Sequence, residues 1–158
     1  MTKWLDEDEM RAWRSLISVF TAVENSLETD LIERHGLTLG DYSVLVALSE
    51  HADHRRRMCD LAGVLHLSPS GLTRRIDGLV KQGLVAREPL PDDRRVALAA
   101  ITPKGLNKLA AAAPDHVNGV RTELLNYMSR TQIRLLGHAL SSVEYKRQAA
   151  QCDNPEVG

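Results

Sequence analysis

Apolar side chains recur every three or four residues through the first part of the chain, a spacing that places them on one face of an α-helix. Asp6 and Glu9 precede this run as a capping box, in which each side chain satisfies the other residue's backbone N–H. His35 and Gly36 supply a stop. The pattern predicts a first helix that reaches about Arg34 and carries as its apolar positions Met10, Trp13, Ile17, Phe20, Leu27 and Leu31.

Two shorter helices are predicted next. Thr38 and Asp41 mark the start of a second helix, whose inner face comprises Tyr42, Leu45, Val46 and Leu48. The polar, arginine-rich segment His51–Arg57 is predicted to form a loop. A third helix is predicted over about Met58–Leu65, with inward side chains at Leu61, Ala62 and Leu65.

The segment that follows His66 and Leu67 has the most informative pattern. Ser68 is a favourable N-cap and Pro69 a favourable first helical residue, so a fourth helix is predicted from there to Gln82, with Gly83 ending it. At about 100° per residue, its apolar face contains Leu72, Ile76, Leu79 and Val80. Its opposite, polar face contains Ser70, Arg74, Asp77 and Lys81, with Thr73 on the flank. This arrangement is typical of a helix-turn-helix whose second helix enters a DNA major groove.

A β-hairpin is predicted directly after this helix. Leu84–Arg87 and Val96–Ile101 are short β-prone runs, and the segment between them contains two prolines and two adjacent aspartates, which favour turns. Arg94 and Arg95 lie at the predicted tip. A hairpin in this position is a wing, and its arginines are suited to a DNA minor groove.

The last third of the chain is predicted to be helical. Thr102 and Pro103 begin a helix that continues through an alanine run, with a bend or break expected at Pro114. Ser129 and Gln132 form a capping box for a further helix, whose apolar seam is Ile133, Leu136, Leu140 and Val143. The terminal helices have more apolar surface than a small winged core covers. We therefore expect a homodimer, the alternative being internal packing alone.

The distribution of charge changes the meaning of the total. The 158 residues carry a net charge of −1, which by itself argues against a nucleic-acid partner. Residues 55–95, however, contain nine basic and five acidic side chains, whereas the remaining residues contain 11 basic and 16 acidic ones. Such a basic segment attracts phosphate locally, because the field is screened within about 10 Å at 0.1 M salt. The alternative is a solvated arginine-rich loop at Arg55–Arg57.

Composition and motifs exclude several other classes. The longest apolar runs are a few residues and the acidic N-terminus has no signal-peptide pattern, so we expect no membrane span and no secretion. Cys59 and Cys152 are too few for a disulfide framework, are expected to be inert and fit a reducing cytoplasm. His51 and His54 lack clear partners for a metal. Because phosphate-binding and nucleophile motifs are also absent, we expect neither an enzyme nor a cofactor.

The run from Leu61 to Gly105 resembles the MarR family of bacterial transcription regulators. The family has, in this order, a short helix, a serine-rich recognition helix, a G-L-V phrase, a wing with D-x-R and a closing L-T-x-x-G. The corresponding residues are Gly83-Leu84-Val85, Asp92-Asp93-Arg94 and Ile101–Gly105, where Ile101 replaces the usual leucine. The resemblance implies a mainly α fold with a small β-hairpin wing, a winged helix-turn-helix with N- and C-terminal dimerisation helices. It also implies a homodimer that binds a palindromic, double-stranded DNA operator.

The resemblance implies DNA contacts from Ser68, Ser70, Thr73, Arg74 and Arg75. Arg74 projects outward and is suited to a bidentate bond with guanine, whereas Ser70 and Thr73 are short donors to phosphates or bases. Arg75 lies to one side, where a phosphate contact or an internal pair is as plausible as base readout. In the wing, Arg94 is the expected minor-groove probe with Arg95 beside it, and Asp92 is expected to orient Arg94.

The family also implies a small-molecule effector, often an aromatic anion, where the first, second and fifth helices meet. Candidate contacts are Trp13, Arg14, Phe20 and Tyr42. The alternative is that Trp13 and Phe20 are core or dimer residues and that Arg14 pairs with Asp8 or Glu9. The expected organisation is one structural domain with a first helix over 1–35, a DNA-binding lobe over 36–103, dimerisation helices over 104–150 and a tail over 151–158.

Two functions remain open from the sequence. The first is a cytoplasmic, ligand-responsive regulator, in the family's usual role of repressor. The second is a winged-helix protein-interaction module that does not bind DNA.

Overall fold

The computed structural model describes residues 2–90 and 93–152, with side chains omitted for 90–96 and 148–152. The described elements, in chain order, are α1 (Glu7–His35), α2 (Leu39–Ser49), β1 (Arg55–Arg57), α3 (Met58–Val64), α4 (Pro69–Lys81), β2 (Val85–Leu90), β3 (Asp93–Ile101), α5 (Pro103–Glu123) and α6 (Arg130–Cys152). A short 3-10 turn lies at Leu125–Tyr127. The chain divides after Gly119 into two compact units, the first containing α1 to α4, the sheet and most of α5, and the second containing α6.

The predicted helix starts are confirmed by their capping bonds. The Asp6 carboxylate accepts the Glu9 backbone N–H at 2.8 Å, and the Glu9 carboxylate accepts the Asp6 N–H at 2.9 Å. Thr38 Oγ1 accepts the Asp41 N–H at 3.0 Å at the start of α2. At the other end of α1, Gly36 adopts the left-handed conformation, with φ of 60°. Local sequence signals therefore determine where these helices begin and end.

One apolar core holds α2, α3 and α4 against the sheet. The helix faces predicted to point inward are buried or partly buried, except that Val80 near the end of α4 is exposed. Removal of this apolar surface from water is the main force that assembles the lobe. The turn between α3 and α4 is tight, and its residue His66 has a left-handed φ of 52°. The largest fully buried side chains are Leu31, Leu37, Leu45, Leu48, Leu61, Leu72, Ile76, Leu79 and Val44.

The prediction of a loop over His51–Arg57 is wrong at its end, because Arg55–Arg57 form a strand. This strand, β1, pairs antiparallel with β3, and the sheet order is β1-β3-β2. Arg55 and Arg57 are exposed, whereas Arg56 turns inward and donates from Nε to the Ala47 carbonyl at 2.9 Å. Side chains alternate between outward and inward along β1, as in any strand. The sequence does not reveal this alternation, because all three residues are arginine. The wing is consequently part of a three-stranded sheet.

The hairpin prediction is confirmed, and the strands are longer than the β-prone runs. β2 extends to Leu90 and β3 begins at Asp93, with a register irregularity between Pro89 and Leu90. Pairing across the hairpin therefore extends into the segment expected to be a turn, as far as Leu90 opposite Asp93.

The predicted break at Pro114 does not occur, because α5 runs from Pro103 to Glu123 with the proline inside it. A proline within a helix removes one backbone hydrogen bond and crowds the preceding turn. Contacts on both sides of it stabilise the helix. Ala112 is fully buried, and the Asp115 carboxylate lies 2.9 Å from Nε2 of His35 on α1. Tertiary packing of α5 against α1 thus outweighs the local preference.

The helices α1 and α6 expose many apolar side chains within their respective units. On α1 the exposed apolar residues include Leu16, Ile17, Val19, Phe20 and Ile32. On α6 they include Leu135, Leu140 and Val143. In the part of the chain that the structure describes, no helix has the length and apolar character required to cross a bilayer.

Gly105 provides a test of the packing between α5 and the base of the wing. A Cβ atom at this position would overlap the Leu84 carbonyl oxygen and lie 2.8 Å from Cγ1 of Ile101. We expect Gly105→Ala to lower the free energy of unfolding by about 1–3 kcal/mol, as overpacking does. Urea denaturation measures this change.

Gly63→Ala is the matched control, because nothing lies within 4 Å of the added methyl group. This helical substitution is expected to raise stability by about 0.5–1 kcal/mol. Equal effects of the two substitutions would contradict the proposed close approach.

Candidate nucleic-acid interface

The start of α4 is built by Ser68 and Pro69. Ser68 Oγ accepts the Gly71 N–H at 3.1 Å, which caps the helix, and Pro69 occupies its first turn. Leu72, Ile76 and Leu79 are fully buried on the inner side. The direction and rotation of α4 are therefore set by an N-terminal cap and an apolar face.

The outward side of α4 carries short hydroxyl side chains and one arginine. Ser70, Thr73 and Arg74 are all exposed, as predicted. Thr73 Oγ1 donates to the Pro69 carbonyl at 2.8 Å, and the Ser68 and Ser70 hydroxyl oxygens lie 3.3 Å apart. Among the described residues, no side chain forms an ion pair with Arg74. The helix thus presents an uncompensated guanidinium beside small polar groups.

Arg75 has a different environment from its neighbour. Its Nη1 donates to Thr38 Oγ1 and to Asp41 Oδ1, both at 3.0 Å. Both acceptors belong to the N-terminus of α2. Of the alternatives open from the sequence, the structure contains the internal pair.

Helix α4 is also bound to the hairpin strand β2. Asp77 Oδ1 lies 2.9 Å from Nη2 of Arg87 on β2. Within the sheet, Arg55 lies 3.4 Å from the Glu88 carboxylate. The first pair joins the base of the wing to α4, and the second joins β1 to β2 within the sheet. Sequence patterns did not reveal them, since the partners are distant along the chain.

The tip of the wing carries the remaining predicted DNA contacts. Arg94 and Arg95 lie on β3, and their side chains are outside the description. Asp92 lies outside the described residues. The minor-groove role of Arg94, the contact by Arg95 and the orienting role of Asp92 therefore stay predictions.

The C-terminus of α4 has a cap supplied by α5, which sequence reasoning missed. Lys104 Nζ donates to the Gln82 carbonyl at 2.7 Å, and Thr102 Oγ1 donates to the Gly83 carbonyl at 2.8 Å. A cation at this end of a helix is favourable, because the helix dipole places partial negative charge there.

Comparison with known proteins identifies the family. The family model described as the MarR family matches residues 37–97. AbsC, a MarR family transcriptional regulator from Streptomyces coelicolor, is 35% identical; the match covers 94% of this chain and 99% of AbsC, with a TM-score of 0.86. The chain belongs to the MarR family. It is therefore a DNA-binding transcription regulator with a winged helix-turn-helix, a class of protein that is not enzymatic.

Two further MarR-type proteins are similar to this chain. Sco3205 from Streptomyces coelicolor, a MarR family regulator whose structure was solved in complex with DNA, is 32% identical, with 99% of this chain and 94% of Sco3205 covered and a TM-score of 0.84. The HTH-type transcriptional repressor YetL from Bacillus subtilis (strain 168) is 24% identical over 136 residues, which are 84% of this chain and 81% of YetL.

The residues predicted to bind an effector in this MarR family member have two kinds of environment. Trp13, Arg14 and Phe20 are exposed on α1, whereas Tyr42 is buried in the core of the lobe. The alternative pairing of Arg14 is wrong. Asp8 pairs with Arg11, and the Glu9 carboxylate accepts the Asp6 N–H.

Tyr42 lies at a junction of α1, α2 and α5 whose other polar members the sequence did not reveal. Its ring centroid is 4.4 Å from that of His116 on α5, and the rings are tilted by 34°. Beside this pair, Asp115 binds His35. At the start of α2, the Glu28 carboxylate of α1 accepts the Leu39 N–H. Aromatic and acidic groups from all three helices thus meet here.

Burial at this junction affects two titratable side chains. His116 Nδ1 is buried without a hydrogen-bond partner among the described residues, and desolvation lowers the His116 pKa. The same cause raises the pKa of Tyr42. Elsewhere in residues 2–90 and 93–152, no three His, Cys, Asp or Glu side chains are grouped as metal ligands.

The lowered pKa of His116 predicts a pH dependence of stability. A histidine side chain in an unfolded chain has a pKa of about 6.5. The pKa of His116 in the folded protein is lower than this value. As pH falls below this value, the unfolded chain takes up a proton that the folded chain resists, so the stabilisation present above it is progressively lost. His116→Phe retains a ring against Tyr42 and removes the titration. We expect a smaller loss of stability between about pH 7 and pH 5 in the variant than in the wild type.

Urea denaturation at each pH measures this difference. The junction account is contradicted if the two proteins lose the same free energy of unfolding across that interval.

Proposed function

We propose that this MarR family member is a homodimeric, cytoplasmic repressor that binds a palindromic operator and is released by a small effector. The observation that carries the proposal is the outward side of α4, where Arg74 has no ion-pair partner among the described residues and lies beside Ser70 and Thr73. Two similar proteins support it, since Sco3205 was solved in complex with DNA and YetL is a transcriptional repressor.

Each recognition-helix side chain has a role suited to its chemistry. Arg74 forms a bidentate bond with a guanine edge in the major groove, because its planar fork matches the two acceptors there. Ser70 and Thr73 donate to phosphates or bases. Ser68, at the N-terminal end of α4, lies nearest the sugar-phosphate backbone of the DNA. Arg94 enters the adjacent minor groove, where a narrow groove concentrates negative potential.

A second copy of the chain covers the apolar surfaces of the terminal helices. Exposed side chains such as Phe20 on α1 and Leu140 on α6 are costly in water but stable in an interface. A two-fold dimer presents two copies of α4 to half-sites about 34–36 Å apart, one turn of DNA. The palindromic operator follows from this symmetry.

The effector is proposed to bind on the exposed N-terminal half of α1, where Trp13 and Phe20 provide aromatic surface and Arg14 provides a cation. Tyr42 and His116 lie apart from this surface, because Arg14 is about 21 Å along α1 from Glu28 at the junction. The groups on α1 suit an aromatic acid, whose ring stacks and whose carboxylate pairs with arginine. Arg14 has no ion-pair partner among the described residues, which leaves it available.

Substitution of Arg74 tests the DNA-binding mode. We expect Arg74→Ala to weaken binding to the DNA upstream of the protein's own gene by about 5- to 150-fold, the equivalent of one bidentate base contact. Binding to unrelated DNA of equal length is expected to weaken much less. Fluorescence anisotropy at several salt concentrations measures both affinities.

Arg11→Ala is the control, because Arg11 is an exposed arginine on α1 that is paired with Asp8. Wild-type binding that is absent, or insensitive to salt, would favour the interaction module instead, since phosphate contacts release counterions. Equal losses on operator and unrelated DNA would contradict base readout by Arg74.

A panel of aromatic carboxylates tests the effector. At least one compound is expected to lower operator affinity by about 5- to 150-fold, the usual range of coupling between two sites. Arg14→Gln is expected to reduce this response, whereas Arg11→Gln, a nearby exposed arginine on the same helix, retains it. An electrophoretic shift measures release, and a response equally strong in both variants would rule out Arg14 as the anion partner.

A further inference from the structure

Two adjacent arginines of α4 have opposite environments. Arg74 is exposed and has no ion-pair partner among the described residues, whereas the Arg75 side chain is only 30% exposed and pairs with an Asp41 side chain that is 17% exposed. The pair joins α4 to α2 across 34 positions of sequence. The two arginines carry the same charge, but their contacts within the protein differ.

The N-terminus of α2 forms a fitted seat for the Arg75 guanidinium. Thr38 Oγ1 accepts two bonds at 3.0 Å, one from the Asp41 N–H that caps α2 and one from Arg75. A hydroxyl oxygen has two acceptor lone pairs, so both bonds are satisfied together. The capping oxygen of one helix is thus also an anchor for the next.

Gly40 completes this seat. A Cβ atom at Gly40 would overlap Cζ and Nη1 of Arg75, so the guanidinium lies directly against the α2 backbone. A cation at a helix N-terminus is unfavourable with respect to the helix dipole. The Asp41 carboxylate compensates for this at 3.0 Å. The arrangement therefore requires a small residue, an acid and a hydroxyl within the first turn of α2.

We propose that Arg75 is a positioning residue, which refines the rotation that the apolar face gives α4 by anchoring the helix on Thr38, Gly40 and Asp41, and that it does not contact DNA. Neighbouring helix positions are about 100° apart, so anchoring Arg75 on α2 holds Arg74 toward the groove. The proposal rests on the operator binding proposed above. It assigns Arg75 a role different from the DNA contact that the family resemblance implies.

A second pair holds the same helix from another side. Asp77 binds Arg87 of β2, but these side chains are 49% and 41% exposed. Exposed pairs contribute little, because water screens them. The more buried pair of Arg75 with Asp41, reinforced by Thr38, is therefore the main determinant of the rotation of α4 among these polar contacts.

Two substitutions separate positioning from direct contact. Arg75→Met removes the charge and keeps the length of the side chain. Gly40→Ala keeps the charge but displaces the guanidinium from its seat, and it provides a milder variant if Arg75→Met folds poorly. Arg11→Met is the control for loss of an arginine from an exposed pair.

Three measurements are made on each full-length variant. The first is the ratio of affinities for the operator and for unrelated DNA, and the second is the dependence of operator affinity on salt. The third is hydrogen exchange of the α4 amides without DNA, which reports local opening of the helix.

We expect both variants, but not the control, to lower the affinity ratio by at least about fivefold, because the Arg74 bond becomes misaligned. The salt slope stays at the wild-type value, and exchange over α4 becomes faster. A salt slope reduced by about 0.9 in Arg75→Met, with Gly40→Ala unaffected, would instead identify a phosphate contact. An unchanged affinity ratio with faster exchange over α4 would show that Arg75 stabilises the helix without aligning Arg74, which would overturn the positioning role.

The outcome also distinguishes this inference from the proposed function. If the wild type does not bind its upstream DNA, operator binding is rejected, and the exchange measurement alone decides on the anchor. Unchanged hydrogen exchange over α4 in both variants would overturn the proposal that Arg75 anchors this helix.

Discussion

Burial of the inner face of α4 is the constraint on which the DNA-facing surface depends. Leu72, Ile76 and Leu79 are fully buried against the lobe core, and a helix with one face held in this way has little freedom to rotate. The positions between them then point in directions set by helix geometry. Arg74 points to solvent, Arg75 points to α2, and Asp77 points to the wing. The polar contacts refine an orientation that the apolar ones establish.

The lobe's positive charge is smaller toward DNA than its composition suggests. Residues 55–95 contain eight arginines, and of the six whose side chains the structure describes, four bind groups within the protein, namely Arg55, Arg56, Arg75 and Arg87. These four hold strands and helices together. Arg74 and the arginines of the wing are thus the basis of recognition in the proposed complex. Net charge identifies the segment that attracts DNA, whereas contacts within the protein show which of its arginines are already paired.

Features with local causes were predictable from the sequence, and features with distant causes were not. Capping pairs such as Asp6 with Glu9 act within one turn, so the helix starts agree with the structure. The apolar period of α4 correctly predicted burial of Leu72, Ile76 and Leu79 and was wrong for Val80, which is exposed. The strand at Arg55–Arg57 was missed because its pairing partner lies on β3, and the break expected at Pro114 was wrong because packing against α1 stabilises α5.

The same distinction applies within the candidate site. Sequence reasoning left Arg75 open between DNA and an internal partner, because Asp41 precedes it by 34 positions and only folding brings them together. His116 gave no signal at all, since a lone histidine on a helix has no pattern. Side chains whose environment depends on another helix require coordinates.

Helix α2 contacts both α4 and α5 through neighbouring residues. Its consecutive residues Asp41 and Tyr42 face different neighbours, with Asp41 bound to Arg75 of α4 and Tyr42 stacked on His116 of α5. Both residues lie in the first turn of α2, between Leu39 and Ser49. The same turn therefore holds the acid that seats Arg75 and the ring that packs against His116.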